Sequence, residues 1–334
     1  MVTLPVEGRW SLRAVADDDV HEVVDYLRGE PLVNVYLLSR LEEERSVIAT
    51  QIFAVRHEGA IVMVASLASN VVLAAAPGER KDRIESAAGL IADRIITRML
   101  PVRAIISPSH LVDPLWERLR ARTDPPTVIR MNQPIYAIRR RLDFPGLKKA
   151  RFATRRDLDK LVPACAAMHK EEVGIDPLIR DAAGYRERIR ELVDQKRSIV
   201  RVEGGEIAAK CEFSAVTSQA VQLMGVWTHP RFRRRGLARE MLREVCGHLF
   251  RNEKAVTLFV NDFNDPAIQL YESDLTPIGG TSYQRKLAMI PADGDYEIEP
   301  LEGGLLALGA FTATSGDLQP RMEKLVASEE ERRA

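Results

Sequence analysis

The stretch that most constrains this chain runs from Val221 to Ala238, VQLMGVWTHPRFRRRGLA. Val221 to Thr228 is β-branched and apolar enough for a buried strand, His229-Pro230 ends it, and Gly236 opens an amphipathic helix. The turn between them holds Arg231, Arg233, Arg234 and Arg235, with Arg239 one turn further on. A helix N-terminus presents unpaired backbone N–H groups and the positive end of the helix dipole. Glycine beside a basic loop therefore lets an anion sit directly on the main chain, and a diphosphate fits there.

Around this stretch the chain reads as one plan used twice. From Trp10 to Arg141 the expected order is a strand, two helices, strands at Ile52 to Arg56, Ala60 to Leu67 and Val71 to Ala76, a long helix from Glu79 to Met99, a strand at Ala104 to Ser107, a helix from Leu111 to Arg122, and a strand-like Thr127 to Arg140. Asp143-Phe144-Pro145-Gly146 reads as a boundary. The same order then recurs, with helices at Asp157 to Met168 and Ala182 to Gln195, strands at Ser198 to Glu203, Glu206 to Val216 and Ala220 to Thr228, the helix Leu237 to Phe250, the strand Ala255 to Val260, the helix Pro266 to Glu272, and strands at Thr276 to Gly279 and Ser282 to Leu287. In the helix after the loop, Leu237, Met241, Leu242, Val245 and Leu249 share one face, and Arg239, Arg243 and Glu244 fall on the others.

The loop resembles that of the GNAT superfamily of N-acetyltransferases: Arg or Gln, two residues of any kind, Gly, any residue, then Gly or Ala. Here it is met by Arg233, Gly236 and Ala238. Downstream, NDFNDPAIQLYESD is similar to the second GNAT motif through Asn264, Ala267 and Tyr271, which stand on one helix face. The resemblance is specific in the second half and weak in the first. After Val71 to Ala76 the first half has Pro77-Gly78-Glu79-Arg80-Lys81 in place of the loop motif, and Glu117 falls where the second half has Tyr271. The expected fold class is α/β (α+β), with tandem GNAT-like domains whose sheets are mixed, mostly antiparallel and flanked by helices. A degenerate domain is expected over residues 1–146, a catalytic one over 147–288 and a partly disordered tail over 289–334, with Leu305 to Phe311 able to dock.

The resemblance implies an acetyl-CoA-dependent N-acetyltransferase in which an amine attacks the thioester directly in a ternary complex. Acetyl-CoA would lie along Val226, Trp227 and Thr228, where Gly225 suits a bulge, and on the loop Arg233, Arg234, Arg235, Gly236, Leu237, Ala238 and Arg239, with Asn264 and Ala267 against its pantetheine arm. Tyr271 is implied as the acid beside the sulfur. For the base, Glu212, Glu171 and Glu172 remain open, because no carboxylate stands on Val221 to Thr228. Proton loss through water is the further alternative. The acids between His169 and Pro177 suit a cationic acceptor, a small-molecule or protein amine, and equally suit a solvated helix end. The competing class is a catalytically weak acyl-CoA-binding sensor or scaffold.

Composition narrows the partners. In 334 residues, 48 basic and 48 acidic side chains balance, so no global charge draws the chain to nucleic acid, and the basic loop is local. The apolar run from Ala60 to Ala76 is broken by Ser66, Ser69 and Asn70 and is shorter than the ~20 residues of a membrane span, so no membrane association is expected. The first residues lack a basic region followed by an apolar core, and Cys165, Cys211 and Cys246 are isolated, so a cytoplasmic protein with reduced thiols and no metal site is expected, as monomer or homodimer.

Overall fold

The structure, a computed structural model, describes residues 10–43, 51–68, 70–100, 102, 104–122, 133–138, 144–174, 176–252, 254–261, 263–274 and 287–290. The strands expected at Thr276 to Gly279 and over most of Ser282 to Leu287, and the whole tail after Ile290, including Leu305 to Phe311, lie outside these residues.

The first sheet takes β1 (Trp10–Ala14), β2 (Ile52–His57), β3 (Ala60–Leu67), β4 (Asn70–Ala75), β5 (Ala104–Pro108) and β12 (Leu287–Ile290), in the order β1-β2-β3-β4-β5-β12. β1 to β4 form an antiparallel meander, β4 and β5 are parallel, and β12 closes the edge antiparallel. Helices α1 (Val20–Leu27) and α2 (Val35–Glu43) bury Val23, Leu27, Leu38 and Leu41 with Ile52, Ala54, Val64 and Ala74. Helices α3 (Lys81–Arg98) and α4 (Ser109–Leu119) bury Ile84, Ala88, Ile91, Leu111 and Leu115 with Val55, Met63, Ala65 and Leu73. Neighbouring residues of β3 thus enter different cores, as the strand's period of two requires. With both faces covered, the strand reads as one apolar run, which is why its sequence does not alternate.

The second sheet repeats the plan. Read from β7 it runs β7 (Ala150–Phe152), β8 (Ser198–Glu203), β9 (Glu206–Val216), β10 (Ala220–Thr228), β11 (Ala255–Phe259) and β6 (Ile135–Ile138). Again four antiparallel strands lead to one parallel pair and an antiparallel edge. Helices α5 (Leu158–Val173) and α6 (Pro177–Asp194) bury Leu161, Cys165, Ile189 and Val193 with Val200, Ile207 and Trp227. Helix α7 (Leu237–Arg251) buries Met241, Val245 and Leu249 with Ile199, Cys211, Phe213 and Leu223; α8 (Asp265–Asp274) follows β11.

The edge strands depart from the sequence reading. The stretch expected as the last strand of the first half supplies β6, which pairs with β11 of the second sheet; β12, which shares only Leu287 with the strand expected at the end of the second half, pairs with β5 of the first. Side-chain pattern marks a strand without naming its neighbour, and lengthening a connection adds little to its closure cost, so the long connections before β6 and β12 permit the exchange.

Two further features pack on α7. Phe144-Pro145-Gly146, read as a boundary, is packed on α7: the Phe144 and Phe250 rings lie 6.0 Å apart, and a Cβ at Gly247 would run into the Pro145 carbonyl. Glu244, placed on an outer face of α7, is buried, and its Oε2 accepts the N–H groups of Lys148, Lys149 and Ala150 at 2.7, 2.9 and 2.9 Å. A carboxylate gathering three main-chain donors anchors the start of β7, a role that a helical wheel cannot reveal.

Candidate active site

The site begins with a parting of strands. β10 pairs with β11 only over Ala220 to Leu223, and the remaining residues of β10, Met224 to Thr228, run on beyond that ladder. On the other side, against β9, Met224 faces Glu212 and Trp227 faces Lys210, so Gly225 and Val226 share the space opposite Cys211 as a bulge. Gly225 has φ +59°, and a Cβ there would strike the Glu212 carboxylate. Glycine is thus required twice over, for conformation and for space. The bulge expected from Gly225 is present.

β10 leads into the arginine loop. His229 Nδ1 accepts the Arg231 N–H at 3.2 Å, a turn of 3-10 helix covers Pro230–Phe232, and Arg234 (φ +58°) and Gly236 (φ +75°) take left-handed backbone. No side chain caps the start of α7, and a Cβ at Gly236 would meet nothing within 4 Å. The helix start therefore combines free space with main-chain donors and positive dipole. Much of the basic character of the loop is neutralised locally: Arg231 pairs with Glu206 at 3.1 Å, Arg233 with Glu171 at 2.5 Å and Arg235 with Glu203 at 3.5 Å. Three of the loop arginines are thus paired with carboxylates, beside the main-chain donors of the helix start.

Asn264 starts α8. Its main-chain carbonyl accepts from Ala267 and Ile268 at 3.0 Å each, and its side-chain Oδ1 accepts from the Ala267 N–H at 3.3 Å, so it serves as an N-cap. Two turns on, Tyr271 is 5 % exposed, with its ring 5.8 Å from that of Tyr136, whose hydroxyl donates to Glu272 at 3.3 Å. Burial first, and then the Glu172 charge, pushes the Tyr271 hydroxyl above its ordinary pKa, so it holds its proton at neutral pH.

Two of the three carboxylates singled out in the sequence, Glu171 and Glu212, are engaged as follows. Glu171 Oε2 accepts from the Trp227 indole N–H at 3.2 Å as well as from Arg233, whose Nε donates to the Thr228 carbonyl at 3.0 Å. Glu212 lies in the core: Lys210 Nζ, with no exposed surface, donates to its Oε1 and Oε2 at 2.7 and 2.9 Å and to the Gly225 carbonyl at 3.1 Å. The Cys165 thiol adds a 3.4 Å contact to Oε1. Burial pulls the pKa of the Lys210 ammonium down, but the Glu212 charge, with smaller contributions from Cys165 and Tyr185, outweighs it and holds the pKa above its ordinary value. Sequence reasoning missed Lys210. Its signal was a lysine two residues before a glutamate within the apolar strand EIAAKCEFSAV, where period two sets both on one face.

The corresponding place in the first half is closed. β4 and β5 pair only at Asn70–Ala104 and Val71–Ile105, but Ser107 Oγ then accepts the Leu73 N–H at 2.7 Å and donates to the Ile106 carbonyl at 2.6 Å, stitching the gap. At the start of α3 the Glu79 carboxylate accepts the Arg80 N–H at 3.0 Å and pairs with Arg83. A protein anion thus stands where the second half leaves room for a foreign one.

A sheet that splays beyond a bulged strand and runs through a glycine loop into a helix defines the fold of the GNAT acetyltransferases. The chain is similar over its length to an acetyltransferase of the GNAT family from Colwellia psychrerythraea (13 % identity, 86 % of this chain and 100 % of that one, TM-score 0.53) and to a GCN5-related N-acetyltransferase from Sphaerobacter thermophilus (16 %, 87 % and 98 %, 0.55). Residues 166–275 match the acetyltransferase (GNAT) family, and residues 50–161 match a domain of unknown function, DUF4081. No curated protein matches in sequence. The second half thus carries a match to the GNAT family model, with a DUF4081 domain before it, and the fold is a tandem arrangement of GNAT-like sheets.

Proposed function

We propose that residues 147–288 act as an acetyl-CoA-dependent N-acetyltransferase toward an amine, and that residues 1–146 are a degenerate GNAT-like partner without a coenzyme of its own. The observation that carries this reading is the parting of β10 from β11 beyond Leu223, leading through the Gly225 bulge to an uncapped helix start with open space at Gly236. Val226, Trp227 and Thr228 offer main-chain groups to the pantetheine arm, and the N–H groups from Arg233 through Arg239, with Leu237 and Ala238 in the first turn, receive the diphosphate. Asn264 and Ala267 flank the arm from α8. A bound acyl-CoA supplies a thioester carbonyl for the amine to attack and a thiolate to expel.

The Tyr271 hydroxyl holds a proton for the departing sulfur. Of the two carboxylates, Glu171 is the one solvent reaches, with its side chain 41 % exposed against 4 % for Glu212. The proton of the incoming ammonium therefore leaves past Glu171 to water, and Glu212 keeps its lysine. The acceptor is a small-molecule or protein amine in the cytoplasm, taken by a monomer or homodimer. No helix among the described residues is long and apolar enough to cross a membrane.

A second reading, an acyl-CoA sensor without turnover, draws support from the ion-paired state of both carboxylates. Thiol release from acetyl-CoA, followed with a panel of amines and compared with release in water alone, separates the two. Stimulation by any amine supports the transferase; a stabilising shift in melting with no stimulation supports the sensor.

A further inference from the structure

Lys210 is costly where it stands. A buried ion pair is often no more stabilising than apolar side chains of the same volume, so a pair placed directly under the bulge calls for a role beyond packing. Its third contact supplies one. Besides both oxygens of Glu212, Lys210 Nζ donates to the carbonyl of Gly225 at 3.1 Å.

That carbonyl belongs to the peptide whose N–H is that of Val226. In a trans peptide the C=O and N–H point in opposite directions. Since the carbonyl is turned toward the Lys210 ammonium, the N–H is turned away from that ammonium, on the stretch of β10 that runs on beyond its ladder with β11. A cation on the carbonyl also polarises the peptide and strengthens its N–H as a donor. The φ of +59° at Gly225, and the Glu212 carboxylate filling the place of its Cβ, hold the peptide in this orientation.

We infer that Lys210 is a positioning residue: through the Gly225 carbonyl it aims and polarises the Val226 N–H toward the acyl carbonyl of a bound acyl-CoA, with Glu212 as its buried countercharge. The inference rests on the acyl-CoA reading above. It assigns Glu212 a structural duty and predicts a contact that acetyl-CoA makes and free CoA, lacking the carbonyl, does not.

The test compares the affinities of acetyl-CoA and CoA for the full chain and for the double variant K210M/E212Q, which removes both charges while keeping similar volume. The expected result is unchanged CoA affinity and a loss in acetyl-CoA affinity of roughly tenfold, the difference between a charge-assisted and an ordinary donor. An unchanged ratio of the two affinities in a folded variant overturns the inference. The wild type supplies a second readout that no folding failure can remove: the infrared C=O band of bound [1-13C]acetyl-CoA should lie below its position in water, and a band at or above that position overturns the inference. If the wild type binds neither ligand, the acyl-CoA reading itself falls, and this inference with it.

Discussion

Arg233 and Glu171 form an ion pair at 2.5 Å that ties the first position of the loop motif to the last turns of α5, and the same carboxylate oxygen holds the Trp227 indole at 3.2 Å. Both side chains are more than two-fifths exposed, at 46 % and 41 %, so the pair contributes at most about 1 kcal/mol. Its value is geometric: together with the Arg233 Nε bond to the Thr228 carbonyl, it holds Arg233 between the end of β10 and α5.

Glu171→Gln therefore tests whether Glu171 is a latch or a base. A general base contributes about 10²- to 10⁴-fold. Loss of a latch should lower turnover by less than about tenfold and leave acetyl-CoA affinity nearly unchanged, since phosphate is held by the backbone. Steady-state kinetics with saturating amine decide it, and a deeper fall returns the base role to Glu171.

Gly236→Glu should abolish coenzyme binding. The open space at its Cβ admits a side chain, and a carboxylate there repels the diphosphate. Because φ is +75°, any substitution also costs about 1–2 kcal/mol of strain, so Gly236→Ala is the control. In the wild type, acetyl-CoA at about 100 times its dissociation constant should add ~2.7 kcal/mol of stability, read as a rise in Tm. The alanine variant should keep most of that rise, and the glutamate variant none.

Tyr271→Phe keeps the ring against Tyr136 and removes only the hydroxyl. Turnover should fall by about 10²- to 10⁴-fold with Tm and coenzyme affinity little changed. Near-normal thiol release would make Tyr271 a core residue and move the sensor reading ahead.

The exchanged strands predict where the chain can be cut. A fragment beginning at Lys149 lacks β6 and bares the edge of β11, whereas one beginning at Gln133 retains it. Exposed edges invite pairing between chains. The shorter fragment should aggregate and the longer remain in solution, as size-exclusion chromatography will reveal; equal behaviour would show β6 to be dispensable.

Stability should fall on the alkaline side. Burial pushes the Cys165 and Cys246 thiols and the Tyr26 hydroxyl up to about 12, and Cys211, Tyr185 and Tyr271 are raised as well. The unfolded chain releases these protons near pH ~8.5 for cysteine and ~10 for tyrosine, while the folded chain still holds them. Their contribution is complete below about pH 8.5 and is lost as pH climbs toward the folded values. Thermal melts from pH 7 to 11 should give a Tm that declines from about pH 8.5; a level Tm to pH 11 would contradict the burial of these groups.

Much of the plan was legible in the sequence because it is written in local pattern. The repeated element order, the amphipathic face of α7, the glycine at the bulge and the loop motif each depend on a few neighbouring residues, whose periodicity and backbone freedom act before any long-range contact forms. Tertiary structure alone decided which sheet receives β6 and β12, that Glu244 turns inward to hold the start of β7, that Ser107 and Glu79 close the first half, and that Lys210 and Glu212 meet beneath Gly225. All of these but the Glu79 contact depend on partners distant in sequence, and the electrostatics of a buried charge is set by what surrounds it in space. No spacing along the chain records that a lysine on one strand will grip the carbonyl of a glycine on the next.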